Sequence, residues 1–226
     1  MNPRTNSHTH DVAIDDALDF IDTLELERGE PFEHFIQPAD MAVWLRDHGL
    51  LHDASLDPDV ARLMEPGPAA DRALARVRQV RTALRELVDA TVEMRPPAAG
   101  AVDVVNRAMR AHQRLVLVAG DDGVSLDHRH EGDALDDALA RIAERVAREV
   151  SGDRADRLRI CDNASCRWVF FDSSPTGRRR WCDMATCGNR AKAARHRARA
   201  KGIAVVVDVG AVGDDVDAAH APVAHA

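Results

Sequence analysis

All four cysteines of this 226-residue chain fall between residues 161 and 187. Their pattern is Cys161-x4-Cys166-x15-Cys182-x4-Cys187. Two short pairs separated by such a connector can gather four sulfurs around one tetrahedral ion. An all-thiolate set selects zinc, and an iron–sulfur cluster is the rival occupant. With four sulfurs bound, no position is left for water, so the predicted role is structural and not hydrolytic. The N-terminal residues hold no apolar stretch after a basic start, which predicts a chain that is not exported. The expected compartment is the cytoplasm, where thiols stay reduced and clustered cysteines bind metal.

The same window collects positive charge. Residues 154–201 hold 13 Lys+Arg against 4 Asp+Glu, a formal +9, while the rest of the chain carries −17. That segregation predicts a polyanionic partner, DNA in the first reading. "RWVFFD" (167–172) has the residues of a strand, "SSPTG" those of a turn, and "RRRW" (178–181) those of a returning arm. The sulfur pairs are therefore expected at the two ends of a small hairpin. "GNRAKAARHRARAKG" predicts a basic helix ended by Gly202, with Cys187 at its N-terminal edge, where the helix dipole favours a thiolate. At about 100° per residue, Arg190, Arg197 and Lys201 share one side of this helix, and Lys192, Arg195 and Arg199 the other. With Arg178, Arg179 and Arg180 of the hairpin arm, they are the candidate contacts to phosphates and guanine edges. Asn189 is placed to bond helix-start amides or the sulfurs, as a structural support of the site. Arg190 either meets phosphate or pairs with Asp172.

The elements that must position these groups can be read from hydrophobic spacing. Ile14, Leu18, Ile21 and Leu24 predict one helix through "DVAIDDALDFIDTLELERG", stopped by Gly29. Asp22 interrupts its apolar face, so it is either capped by a neighbour or lines a cavity, which makes it a candidate ligand site. Asp40 is expected to cap a second helix carrying Met41, Trp44 and Leu45, and Pro58 opens a short third. The longest periodic segment is 69–94, with Leu74, Val77, Val80, Leu84 and Val88 on one stripe and charges elsewhere. A helix through Val102, Val105 and Met109 follows. Two β-rich runs around Asp122-Gly123 then predict a hairpin. A last helix aligns Leu135, Leu139, Ile142 and Val146. Beyond 201 a short strand-like run leads into an acidic tail. His8 and His10 fall in a loose N-terminal stretch, and His128 and His130 lack a third ligand.

"RWCDMATCGNRAKAARHRAR" is similar to the signature of the CGNR zinc-finger family, with Cys187, Gly188, Asn189 and Arg190 as its naming tetrapeptide. "LRICDNASCRWVFFDSSPTGRRRWC" resembles that family's first half. Upstream, "ALDFIDTLELERG" and "QPADMAVWLRDHGL" resemble the ABATE domain usually fused to it. The family usually carries asparagine where this chain has Asp22, a departure that bears on any polar contact an amide would make there. The resemblance implies a stress-linked bacterial transcription regulator.

The expected fold is α+β and mainly α. A helical N-terminal domain with a small antiparallel hairpin (1–152) precedes a treble-clef-like zinc module ending in the basic helix (153–201), then a short strand and acidic tail (202–226). The expected function is a DNA-binding regulator whose N-terminal domain senses a small-molecule effector or forms a homodimer. The alternative is an RNA-binding or protein-docking module, with exposed Trp168 and Phe170 as stacking surfaces. A third reading, an enzyme with its site in the helical domain, has no legible motif: there is no glycine-rich phosphate loop, no G-x-S-x-G and no H-E-x-x-H. No run of 18 apolar residues suggests a membrane span.

Overall fold

The structure is a computed structural model that describes residues 12–27, 29–51, 57–110, 113–120, 123–130 and 133–200. His8, His10, Lys201 and the strand and tail expected after 201 lie outside the described residues. The chain divides into two compact units between Gly188 and Asn189.

The first unit is mainly helical. Its helices are α1 (Ile14–Asp22), α2 (Pro38–Asp47), α3 (Pro58–Met64), α4 (Pro68–Val92), α5 (Ala99–Met109) and α6 (Ala134–Val150). Among the described residues, strands form three antiparallel pairs: β1 (Leu24–Glu27) with β2 (Glu30–Glu33), β3 (Gln113–Gly120) with β4 (Gly123–His130), and β5 (Leu158–Ile160) with β6 (Val169–Phe171). The second unit contains α7 (Asn189–Ala200).

Helix α1 ends at Asp22, earlier than its hydrophobic spacing suggests. Thr23 closes it by donating its hydroxyl to the Phe20 carbonyl at 2.7 Å. The next residues, Leu-Glu-Leu-Glu, alternate with a period of two and pair with Glu30–Glu33. Gly29, at φ 93°, makes the reversal in a region that favours glycine. The expectation of one helix to Gly29 is thus corrected to a helix followed by a hairpin. Asp40 does cap α2, although from the third helical position. Its Oδ2 accepts the Ile36 and Gln37 N–H groups at 3.0 and 2.9 Å, in a capping box with Gln37.

The core is made by α1, α4 and α6. Leu18, Phe20 and Ile21 of α1 meet Val77, Leu84 and Val88 of α4 and Leu135, Leu139, Ile142 and Val146 of α6. Phe20, Phe35 and Trp44 pack as a tilted aromatic trio with centroids about 6 Å apart. Leu158, Ile160, Val169 and Phe171, on either side of the first cysteine pair, belong to this same buried cluster. The hairpin that begins the cysteine segment is therefore built into the helical core. Burial of such side chains contributes roughly 1.5–3 kcal/mol each.

Strand β6 pairs with the upstream β5, and not with "RRRW" as the sequence suggests. All three residues of β6 are buried, and the apolar Leu158 and Ile160 can line that interior. Three consecutive arginines cannot occupy such a place without stranding charge.

Candidate metal centre

The turn from Cys161 to Cys166 is held by its own backbone. The Cys161 N–H donates to the Trp168 carbonyl, and the Cys166 N–H to the Asn163 carbonyl, both at 2.8 Å. Asn163 Oδ1 accepts the Ser165 N–H at 3.1 Å. The second cysteine pair spans Asp183, whose Oδ1 accepts the Thr186 N–H at 2.7 Å, and a wide helical turn over Met184–Gly188. A Cβ on Gly188 would come within 2.8 Å of Met184 Sδ, so a larger residue there would have to push the exposed Met184 side chain aside. The Asp162 N–H donates to the Arg180 carbonyl at 2.9 Å, joining the two turns.

These turns bring the four sulfurs within 4.8 Å of one another. Cys166 and Cys182 are 3.7 Å apart, Cys182 and Cys187 3.9 Å. A tetrahedral ion with Zn–S bonds of about 2.3 Å needs sulfurs about 3.8 Å apart. The spacing fits that ion and is far beyond a disulfide bond, at about 2.05 Å.

Crowding also sets the acidity of the thiols. Burial, with Cys161 beside it, pushes the Cys166 thiol up to about 12. Burial and the three other sulfurs raise Cys182 further. Burial opposes ionisation of Cys187 too, but the Asn163 amide and the surrounding sulfurs outweigh it and hold this thiol below its ordinary range. Asn163 Nδ2 donates to Cys187 Sγ at 3.3 Å. A cation bound among the sulfurs would replace their protons, so affinity must rise with pH.

Residues 157–200 match the CGNR zinc finger, and residues 15–153 match ABATE, described as a putative stress-induced transcription regulator. The chain belongs to the ABATE family. No curated protein matches it. The clustered cysteines of its CGNR finger, Cys161, Cys166, Cys182 and Cys187, are the zinc site.

Around the finger the arginines divide by task. Arg179 lies over the Phe170 ring at 5.0 Å, and its guanidinium donates to the Cys182 carbonyl. Arg180 pairs with Asp162 at 2.5 Å and lies 5.2 Å from the Trp181 ring centre. Arg178 is exposed. Arg157 and Arg159 donate to the carbonyls of Ser174 and Gly177 at 2.8 and 2.7 Å. Buried Asp172 accepts the N–H groups of Ser174 and Arg179 at 3.0 and 2.8 Å. Burial works against its charge, but those bonds and the Ser174 hydroxyl keep its carboxyl below the usual range. On α7, Asn189, Arg190, Lys192, Arg195 and Arg197 are exposed, and Arg199 falls in the same helix.

The aromatics do not present the stacking surface expected of them. Phe170 is buried beneath Arg179, and Trp168 is half-buried, its Nε1–H donating to Glu25 Oε2 at 2.7 Å.

The ABATE domain meets the finger at a second group. Asp22 is 4% exposed. Its Oδ1 accepts the Val169 N–H at 3.1 Å and lies 4.0 Å from Arg85 Nη1. Its Oδ2 is buried and has no hydrogen-bond partner among the described residues. Burial outweighs the Val169 N–H and Arg85, so the Asp22 carboxyl sits well above the ordinary aspartate range.

Sequence reading overlooked Arg81, Asn163 and Glu25. Arg81 is 2% exposed and donates to Thr23 Oγ1 at 2.9 Å and to both Glu33 oxygens, 2.8 Å to Oε1. Burial opposes the charge of Glu33, but Arg81 and the Phe35 N–H hold it below its usual range. The signal was present: Arg81 stands four residues after Val77 and three before Leu84, on the apolar stripe itself.

Proposed function

We propose that this chain is a cytoplasmic, DNA-binding transcription regulator. In this reading the zinc site is a structural clamp and α7 supplies the contacts to DNA. The observation that carries it is the row of exposed cations, Arg190, Lys192, Arg195 and Arg197, beginning three residues after the last zinc ligand. Arg199 and Lys201 extend the row in sequence, and Arg178 adds a cation from the finger. Arg179 and Arg180, by their contacts, serve the finger's own shape first. Asn189 opens α7 and is assigned to the support of the helix start. The family match to a stress-induced regulator agrees with this assignment. Four sulfurs fill a tetrahedral sphere, so a zinc ion here supplies folding energy and no open position for chemistry. We assign the chain no catalytic role.

Functionally the chain then divides as an effector and core domain (1–152), a finger with its basic helix (153–201) and a tail (202–226). Among the described residues no helix is long and apolar enough to cross a membrane.

The test is selection on random duplex DNA with the zinc-loaded full chain and with chelated protein. Zinc-dependent enrichment is expected, with log affinity falling linearly in log salt. Changing Arg195 and Arg197 together to alanine, with zinc retained, should reduce that slope by about 2. Equal binding of single-stranded RNA and duplex DNA, or salt-independent binding, would defeat the assignment.

A further inference from the structure

A cavity of about 330 Å³ lies where α1, the β1–β2 hairpin and α4 meet the first zinc turn. Its walls are mostly apolar and include Ile21, Leu24, Leu26 and Pro31. The finger contributes Cys166, Arg167 and Trp168. Asp22 lines it, and the buried Oδ2 of Asp22 is a polar atom left without a hydrogen-bond partner among the described residues. Pockets of this size and lining, with one or two placed polar groups, are those that take small organic molecules.

The polarity of the missing partner follows from the other oxygen. Oδ1 already accepts the Val169 N–H and faces Arg85. The acceptor character of the carboxyl is used there, which leaves Oδ2 as the place for its proton. Burial outweighs everything else around Asp22 and favours the neutral form; the Val169 N–H and then Arg85 oppose it, and Asp19 and Glu25 reinforce it. Glu25 is engaged by Trp168 and His34, and Arg81 by Glu33 and Thr23. Arg85, whose Nε donates to Asp89 at 2.8 Å, and the exposed Arg167 add cationic character to the lining.

We propose that this cavity is an effector site for a small carboxylic acid with an apolar body, its acid oxygen accepting a hydrogen bond from Asp22 Oδ2 beside Arg85. Naming it an effector site rests on the regulator reading above. Because Cys166 and Trp168 form part of the wall, an occupant touches the metal turn directly, and occupancy and finger geometry are linked.

Binding is tested without DNA, so a failure of the DNA reading leaves the result intact. Calorimetric titration of the zinc-loaded full chain uses phenylacetate, its uncharged amide and phenethylamine as probes. Phenylacetate is expected to saturate one site, the amide to bind more weakly, and the amine not at all. Asp22→Asn keeps an acceptor for the Val169 N–H and places an amide donor where Oδ2 stands, so its phenylacetate affinity should stay within about threefold. Asp22→Leu removes the donor and should weaken binding at least tenfold. Leu24→Trp fills the cavity from a partly exposed position without touching Asp22, and should abolish binding while the melting temperature holds. Preference for the amine, no saturation by phenylacetate at millimolar concentration, or unchanged binding in Leu24→Trp would each overturn the proposal.

Discussion

Asp22 and Val169, 147 residues apart, are joined by a hydrogen bond in which the backbone N–H of Val169 donates to Asp22 Oδ1 at 3.1 Å. The bond fixes the end of α1 to the strand that leaves the first zinc turn. It also makes a buried acid part of the fold, with a measurable consequence. The folded protein holds the Asp22 proton to higher pH than the unfolded chain, whose aspartate titrates at about 3.9. Above that value the unfolded chain releases a proton the folded chain keeps. The stability Asp22 contributes is therefore complete below the unfolded pKa and is lost as pH rises through the folded one. Asp22→Asn keeps the acceptor and does not titrate. Calorimetric melting should find the two proteins nearly equal at pH 4 and the variant higher at pH 8, by ~2–4 °C for each ~1 kcal/mol. A difference that does not change with pH would refute this account.

Zinc removal should weaken more than the finger. Leu158, Ile160, Val169 and Phe171 lie in the cluster that also holds Ile21, Val77 and Leu139. The metal clamps the turn between β5 and β6, and a structural zinc site contributes on the order of 10 kcal/mol, comparable with the whole stability of an ordinary domain. Chelation, or Cys182→Ala, should lower the melting temperature of the helical domain by more than about 10 °C in one cooperative transition. Helical circular dichroism that melts at an unchanged temperature after chelation would show the domains to be independent.

The zinc ligands were legible because four thiolates at x4, x15 and x4 spacing constrain geometry by themselves. The long helices were legible because α4 and α6 repeat their apolar residues over several turns. What failed was local and competitive. Leu24 continues the stripe of α1, yet the same residues alternate with period two, and the turn at Gly29 decides for the hairpin. "RWVFFD" reads as a strand, but the sequence does not say which neighbour it pairs with. The partner was chosen by burial, which favoured "LRI" over a run of arginines. Asp22 was marked as an anomaly on an apolar face, but its partners, Arg85 of α4 and Val169 of β6, are distant in sequence and leave no local trace.

Arg81 exemplifies that kind of anomaly inside α4. A guanidinium that is 2% exposed is tolerable only because Glu33 and Thr23 engage it and the Phe35 ring lies 5.5 Å from its centre. Arg81→Ala leaves the half-buried Glu33 carboxylate only the more distant Arg78, at 3.5 Å, and the Phe35 N–H, and should cost about 1–3 kcal/mol in urea denaturation. Arg81→Met combined with Glu33→Gln removes both charges and keeps the volume, so it should cost clearly less than the single change. Equal losses in the two proteins would mean that the ion pair itself, and not the stranded charge, sets the cost.

Asn163 gives the sharpest test of how the metal site is tuned. Its amide donates to Cys187 Sγ at 3.3 Å while its side-chain oxygen accepts the Ser165 N–H at 3.1 Å. One side chain thus shapes the first turn and stabilises negative charge on a sulfur of the second. Asn163→Asp preserves the turn contact but turns the donor into an anion beside a thiolate. Asn163→Ala removes both interactions. Loss of such outer contacts to a ligand typically costs 10–100-fold in metal affinity. Competition with a chromogenic zinc chelator should therefore show both variants weakened by about that factor. The aspartate variant should be the worse of the two near neutral pH, and should recover relative to the alanine variant as the added carboxylate is protonated. If the aspartate variant bound zinc as tightly as the native chain, the contact would matter for the turn alone and not for the charge on Cys187.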